Sequence, residues 1–222
     1  MVMDFDFTLL GEVPAPKSFM VRREFRGVGS FKLTVQRDAG GLLARDRVIY
    51  RPDRPEQGWI IHRVSRSGDT LTVDGTPLKG LAKRRICLPP LITGGAYNQF
   101  GYDLFTGDAE SAYLHFAANN LTAPEDAARA IPHLVLDTNL HRGPELPWQA
   151  RFEKLSDLFE DIGAATEVGW DIRPDFGAKR YVFGAWAGVD RTTGTGRCAL
   201  SRELGNVEGG SVTEDAGSAV TV

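Results

Sequence analysis

Four histidines, two cysteines and three aspartates are the residues of this chain best able to do chemistry. His62, His115, His133 and His141 fall at no metal-ligand spacing such as His-Glu-x-x-His, and each lies in a different expected element, so no metal site is assigned. Asp171, Asp175 and Asp190 could meet near the end of a hairpin. A carboxylate cluster there would serve general acid and base chemistry or hold a cation, whereas the commoner use of such residues is to cap turns or stay solvated. No Gly-x-Ser-x-Gly elbow is present, and Cys87 and Cys198 stand far apart, with Cys87 between Ile86 and Leu88 reading as buried filler. The run from Gly188 to Gly196 has the composition of a phosphate loop without the Gly-Lys-Ser/Thr ending or a following helix, and reads as a surface loop. No catalytic, cofactor-binding or metal-ligating residue is assigned, no cofactor is expected, and the chain is not read as an enzyme.

Charge narrows the partners. A net charge of -3 offers nucleic acid no global attraction, although Arg22-Arg23 with Arg26 and Lys83-Arg84-Arg85 form local basic runs. Such runs are commonly solvated strand and turn faces. The N-terminus MVMDFDF lacks a basic region followed by an apolar one, and no run approaches a membrane span, so export by the usual route and stable membrane association are not expected. Asn120-Leu121-Thr122 matches a glycosylation sequon, most simply by chance. With 42% hydrophobic residues, 222 residues suffice for a sizeable core in one large domain or two small ones.

The elements that would position these groups change texture along the chain. Residues 4–92 read as a small all-β barrel or sandwich, with alternation in Asp4 to Leu9, Phe19 to Phe25 and Phe31 to Val35. Val48 to Tyr50 adds a short strand, and Trp59 to Val64 and Thr70 to Val73 flank a Ser67-Gly68-Asp69 turn. A helical turn is expected over Leu78 to Lys83 and a boundary at Thr93-Gly94-Gly95. A helix from Thr106 to Asn119 would be capped by Thr106 or Asp108, and Thr122-Ala123-Pro124-Glu125 reads as a capping box for a short helix over Pro124 to Ala130. Ile131 to Leu136 reads as a strand. Phe152, Leu155, Leu158, Phe159 and Ile162 make one apolar helical stripe, read as core; strands Val168 to Ile172 and Arg180 to Trp186 follow and should bury it.

Several of these stretches together resemble the tail-tip hub proteins of siphophages and prophages, which include tail proteins similar to the baseplate hub of contractile-tailed phages. They are, in order, Phe19 to Val35 with Arg22-Arg23 and Gly29-Ser30-Phe31, Gly75 to Lys83-Arg84-Arg85, Ala109-Glu110, Arg129-Ala130-Ile131-Pro132, Ala150-Arg151 leading into Leu155-Ser156-Asp157-Leu158, and Gly188-Val189-Asp190-Arg191-Thr192. The resemblance implies an α+β chain in which 1–92 is a first β-barrel-like hub domain, 93–187 a peripheral α/β domain and 188–222 the beginning of a second β-barrel. The ending soon after Gly205-Asn206-Val207 reads as a truncation. It further implies that the full-length protein forms a homotrimer ring that closes the tail tube, contacts neighbouring tail-tube, distal tail and adsorption proteins, and passes DNA only transiently through its lumen. Such a protein is made in the bacterial host cytoplasm and resides in the virion tail. The alternatives are a tail-associated cell-wall hydrolase, or a carbohydrate or receptor-binding module using Trp148, Trp170 or Trp186, for which burial is the simpler reading.

Overall fold

The computed structural model describes residues 1–13, 16–36, 41–91, 97, 100–194, 197 and 199–205. They fall into two units, 1–188 and 189–222. The second carries only turns among its described residues. Its Asp190 accepts from the Thr192 amide (2.7 Å) and from both neighbouring threonine hydroxyls, a local turn cap.

The first unit is mostly β and begins with a curled half-barrel sheet. Its strands are β1 (Val2–Met3), β2 (Leu9–Gly11), β3 (Ser18–Arg22), β4 (Ser30–Val35), β5 (Val48–Arg51), β6 (Arg54–Ser67) and β7 (Thr70–Pro77), in the order β2-β1-β5-β6-β7-β4-β3. All neighbours are antiparallel. Alternation sets the register: Phe31, Leu33 and Val35 share a face with Trp59, Ile61, Leu71 and Val73, and these pack mainly on one another, which a flat sheet could not achieve. The opposite face gives Met3, Val48 and Ile60 to a second core shared with the rest of the unit. Gly75 permits the curl, because a Cβ there would lie 1.9 Å from the Ile60 carbonyl oxygen and 2.5 Å from the Phe31 ring.

A 3-10 helix (Leu78–Arg84) leads out of the sheet. Strand β8 (Asp103–Asp108), helix α1 (Ala109–Ala117), strand β9 (Leu134–Leu136), strand β10 (Glu145–Ala150), helix α2 (Leu155–Thr166) and strands β11 (Val168–Asp175) and β12 (Arg180–Ala187) complete the unit. Strand β10 pairs with β8, and β12 lies between antiparallel β11 and parallel β9. Phe159 of α2 packs 4.8 Å from Trp170 and 5.3 Å from Phe183, so helix and hairpin bury each other as their periodicity requires.

Several expectations are corrected. Asp4 to Thr8 is a turn with Phe7 at φ 68°, because Phe5 and Phe7 both pack on Tyr181 instead of alternating across a sheet. Thr106 and Gly107 belong to β8, and Asp108 is the cap, its carboxylate accepting from the Ser111 amide at 2.8 Å. The capping box at Thr122 does not form: α1 unwinds into a π turn over Ala118–Thr122, and only a 3-10 turn (Ala127–Arg129), capped by Asp126, follows. Phe152 stands off α2 at φ 59° and is exposed. The boundary expected at Thr93-Gly94-Gly95 lies outside the described residues.

Helix α2 ends on Glu167 in the left-handed region (φ 58°), its amide donating to the Gly163 carbonyl at 3.0 Å. A side chain there is strained, so Glu167→Gly should stabilise the fold by about 0.5–1 kcal/mol in chemical denaturation. No gain would show that the Glu167 side chain offsets the strain.

Candidate functional site

The loop between β3 and β4 is fixed by three consecutive carbonyls. Lys79, in the 3-10 helix, donates from Nζ to the oxygens of Glu24 (3.1 Å) and Phe25 (3.4 Å), and Trp170 of β11 donates from Nε1 to that of Arg26 (2.7 Å). The ammonium lies 4.5 Å from the Trp170 ring centroid, a cation–π contact. Phe25 lies over Gly169, where a Cβ would come within 2.4 Å of its ring. Lys79 is only 3% exposed. Burial lowers its pKa to about 8 against the opposing pull of Asp171 and Glu24, and burial likewise raises that of Asp171. No motif announces Lys79. The one available signal is a lysine inside Leu78-Lys79-Gly80-Leu81-Ala82, where a charge must find partners.

The expected carboxylates have separate duties. Asp171 accepts from the Ile172 amide (2.8 Å), and its charge acts on Lys79; Asp175 pairs with Arg180 (3.0 Å) and caps the hairpin turn through the Ala178 amide (3.1 Å); Asp190 belongs to the second unit. Asp171 and Asp175 are four residues apart on one strand, about 13 Å, which is too far to share a proton or an ion.

The histidines are dispersed as well. Nδ1 of His62 lies 3.0 Å from an Arg84 nitrogen and Nε2 lies 2.8 Å from the Thr76 hydroxyl, and burial together with Arg84 lowers its pKa. His115 bonds to buried Asp103 at 2.8 Å and stacks on Phe105. His133 stands at φ 61° and gives its carbonyl to the Tyr181 amide. His141 joins Asp108 and Ser111 in a group resembling a hydrolytic triad. The resemblance ends at the geometry: Nδ1 faces both Asp108 Oδ2 (3.0 Å) and Ser111 Oγ (3.3 Å), and Ser111 bonds directly to Asp108 (2.6 Å), so imidazole bridges nothing. The group caps α1. Beside it, buried Glu110 takes Arg142 bidentately (2.9 and 2.8 Å); burial would raise its pKa, but the Arg142 bonds outweigh this and lower it. No cluster of three His, Cys, Asp or Glu able to hold a metal occurs among the described residues.

Cys87 is buried, its thiol pushed up to about 12 by burial, far from a reactive thiolate. Asn120 is fully buried, bonded to the Phe116 carbonyl and the Leu88 amide, which closes the sequon to glycosylation. Cys198 and the end of the Gly188 to Gly196 run lie outside the described residues. In the basic runs Arg22 pairs with Glu24, Arg84 with Asp46, and Arg85 donates to the Arg129 carbonyl. Trp170 is buried, while Trp148 and Trp186 are half-buried. A 220 Å³ cavity beside Phe5, Ile60, Leu81 and Ile131, rimmed by Arg84 and Asp46, is smaller than ordinary ligand pockets.

The remaining distinctive surface lies on the sheet's margins. Met20 of β3 is 66% exposed and Leu9 of β2 55%, with Val21 and Phe25 also exposed. Leu9, Met20 and Val21 are large apolar groups on the outermost strands of a sheet, and Phe25 lies in the loop just beyond β3.

The fold is similar to that of prophage tail protein gp18 from Listeria monocytogenes EGD-e, whose crystal structure matches 82% of this chain at TM-score 0.51 and 11% identity, over 49% of its own length. A more distant match, at TM-score 0.42 and 10% identity, covers 75% of this chain and 44% of the E. coli c3393 protein, described as a type VI secretion system component with structural similarity to T4 bacteriophage tail proteins gp27 and gp5. The chain thus spans about half the length of the solved structures it matches. Among curated proteins none matches the sequence. The chain belongs to the Siphovirus ReqiPepy6 Gp37-like protein family, which matches residues 1–222. This bears out the resemblance to siphophage and prophage tail proteins read from the sequence.

Burial of Lys79 has a consequence for stability. Its folded pKa of about 8 lies below the unfolded value of 10.5, so between these values the unfolded chain holds more protons at this site and the group's contribution makes the fold more stable as pH rises. Urea melts of wild type and Lys79→Met at pH 8 and 10 should show the wild type gaining stability relative to the variant. Equal pH slopes would contradict the buried ammonium.

Proposed function

We propose that this protein is a structural, non-enzymatic component of a phage or prophage tail tip or baseplate hub. Its residence is the virion tail, after synthesis in the host cytoplasm. It forms a homotrimer ring that closes the tail tube, joins it to distal adsorption proteins and leaves a lumen through which DNA passes transiently. Residues 1–92 act as a first barrel-like hub domain, 93–187 as a peripheral α/β domain, and 188–222 as the beginning of a second barrel.

The observation that carries this reading is the whole-chain family match coinciding with a curled half-barrel sheet. Support also comes from the way the polar groups are used. Asp108, Ser111 and His141 cap a helix, Lys79 holds two backbone carbonyls, and Glu110 holds Arg142, each serving architecture.

Mass spectrometry of purified virions, with immunogold electron microscopy using antibody to this chain, tests the proposal. Label at the tail tip is the expected result. Virions without the protein, or label confined to the capsid, would refute it.

A further inference from the structure

The 220 Å³ cavity walled by Phe5, Ile60, Leu81, Ile131 and Pro132 is apolar inside and cationic at its rim. Its walls come from separate parts of the fold, and each is fixed. Ile60 and Leu81 belong to the core of the first unit. Phe5 stacks 4.5 Å from Tyr181, whose hydroxyl donates to the Phe5 carbonyl at 3.1 Å, and the Ile131 amide donates to the Leu121 carbonyl at 2.7 Å. The recess is therefore preformed. An apolar cavity of about 150 Å³ accepts a benzene-sized group, so this one has room for a single leucine- or phenylalanine-sized side chain. It is too small for a drug-sized ligand, which needs roughly 300 Å³ or more.

Charge at the rim is unbalanced. Arg84 is answered by Asp46 at 2.7 Å. Arg85 has no carboxylate partner among the described residues: its Nε donates to the Arg129 carbonyl (2.9 Å) and one terminal nitrogen to the Arg84 carbonyl (3.1 Å), which orients the guanidinium without neutralising it. Burial, then the charges of Arg129 and Arg84, lower the pKa of Arg85, as befits a cation that lacks its anion. The carboxylates flanking Phe5 are engaged elsewhere, Asp4 with Arg47 (3.3 Å) and Asp6 with the Thr8 amide (2.9 Å).

We infer that this recess is an anchor pocket for a segment of a partner protein chain in which one leucine- or phenylalanine-sized side chain stands beside an acidic residue. The side chain fills the recess, as the anchor residues of protein interfaces fill theirs. The carboxylate takes the N–H groups of Arg85 that no carbonyl occupies, a charge-assisted bond next to apolar walls. A basic neighbour would instead meet an unpaired guanidinium, so the rim selects the sign of the segment. A free carboxylate small enough to enter gains little contact to offset its lost freedom, whereas a chain segment adds backbone contact around the mouth. The pocket requires no ring, so its failure would leave the tail-tip reading standing.

Amide NMR titration of the isotope-labelled 222-residue chain tests it. The probe is the end-capped peptide Gly-Ser-Phe-Asp-Ser-Gly, with two relatives that replace its phenylalanine by alanine or its aspartate by lysine. The parent peptide should shift the amides of Leu81, Arg85 and Ile131, and each relative should bind about tenfold more weakly. Arg85→Glu should invert the order of the aspartate and lysine peptides, which loss of packing alone would not do. If circular dichroism shows that variant unfolded, Arg85→Gln replaces it and should erase the difference between the two. Equal affinity for the phenylalanine and alanine peptides, no shift at these amides with millimolar peptide, or a preference for aspartate over lysine that survives the Arg85 variant overturns the inference. Hexanoate binding as tightly as the parent peptide also overturns it, by making the recess a site for free carboxylates.

Discussion

Three successive carbonyl oxygens, those of Glu24, Phe25 and Arg26, are held by one buried ammonium and one indole N–H, and the placement of the half barrel depends on this contact. The sheet has its own apolar cluster on one face and lends only a few residues to the core shared with the helices. Without a polar anchor the loop from β3 to β4 would expose three carbonyls and slide over the hairpin. Lys79 and Trp170 supply donors from two different elements, so the loop is tied to the 3-10 helix and to β11 together. Burying a lysine is costly, and its depressed pKa records that cost.

Much of the remaining polarity is used in the same way. Tyr113 places its hydroxyl 2.9 and 3.0 Å from the Phe159 and Val168 carbonyls, seating α1 against α2 and the hairpin. Arg173 and Asp137 pair across the small sheet, and Asn120 ties the π turn to Leu88. These groups hold elements in register. What they leave to the outside includes the sheet margins, where Leu9, Met20 and Val21 are exposed on strands with no outer strand partner among the described residues. That division, polarity inward for positioning and strand edges outward, suits a subunit whose work is contact with other chains.

The sequence was most legible where periodicity is dictated by burial. The stripe Leu155, Leu158, Phe159 and Ile162, the hairpin after it, the strands at Phe31, Trp59 and Leu71, and the Gly68 turn all lie as their spacing requires. It misled where local signals compete with tertiary contacts. Phe5 and Phe7 alternate like a strand yet turn together onto Tyr181, and a well-formed capping box at Thr122 yields to a π turn that buries Asn120. Strands β8 and β10 went unread because their ladder joins residues some forty apart and each is largely polar or exposed. The partners that Lys79 and Trp170 anchor could not be read, since they are backbone atoms that carry no residue identity; only the apolar setting of Lys79 hinted at a buried charge.

The most direct test of the assembly is a cryo-electron microscopy reconstruction of the tail tip at a resolution that traces strands. Density for this chain in a ring at the tail tip, with its half-barrel sheet in the wall of the tube, is the expected result. A tail tip without this chain, or with it outside the ring, would contradict it.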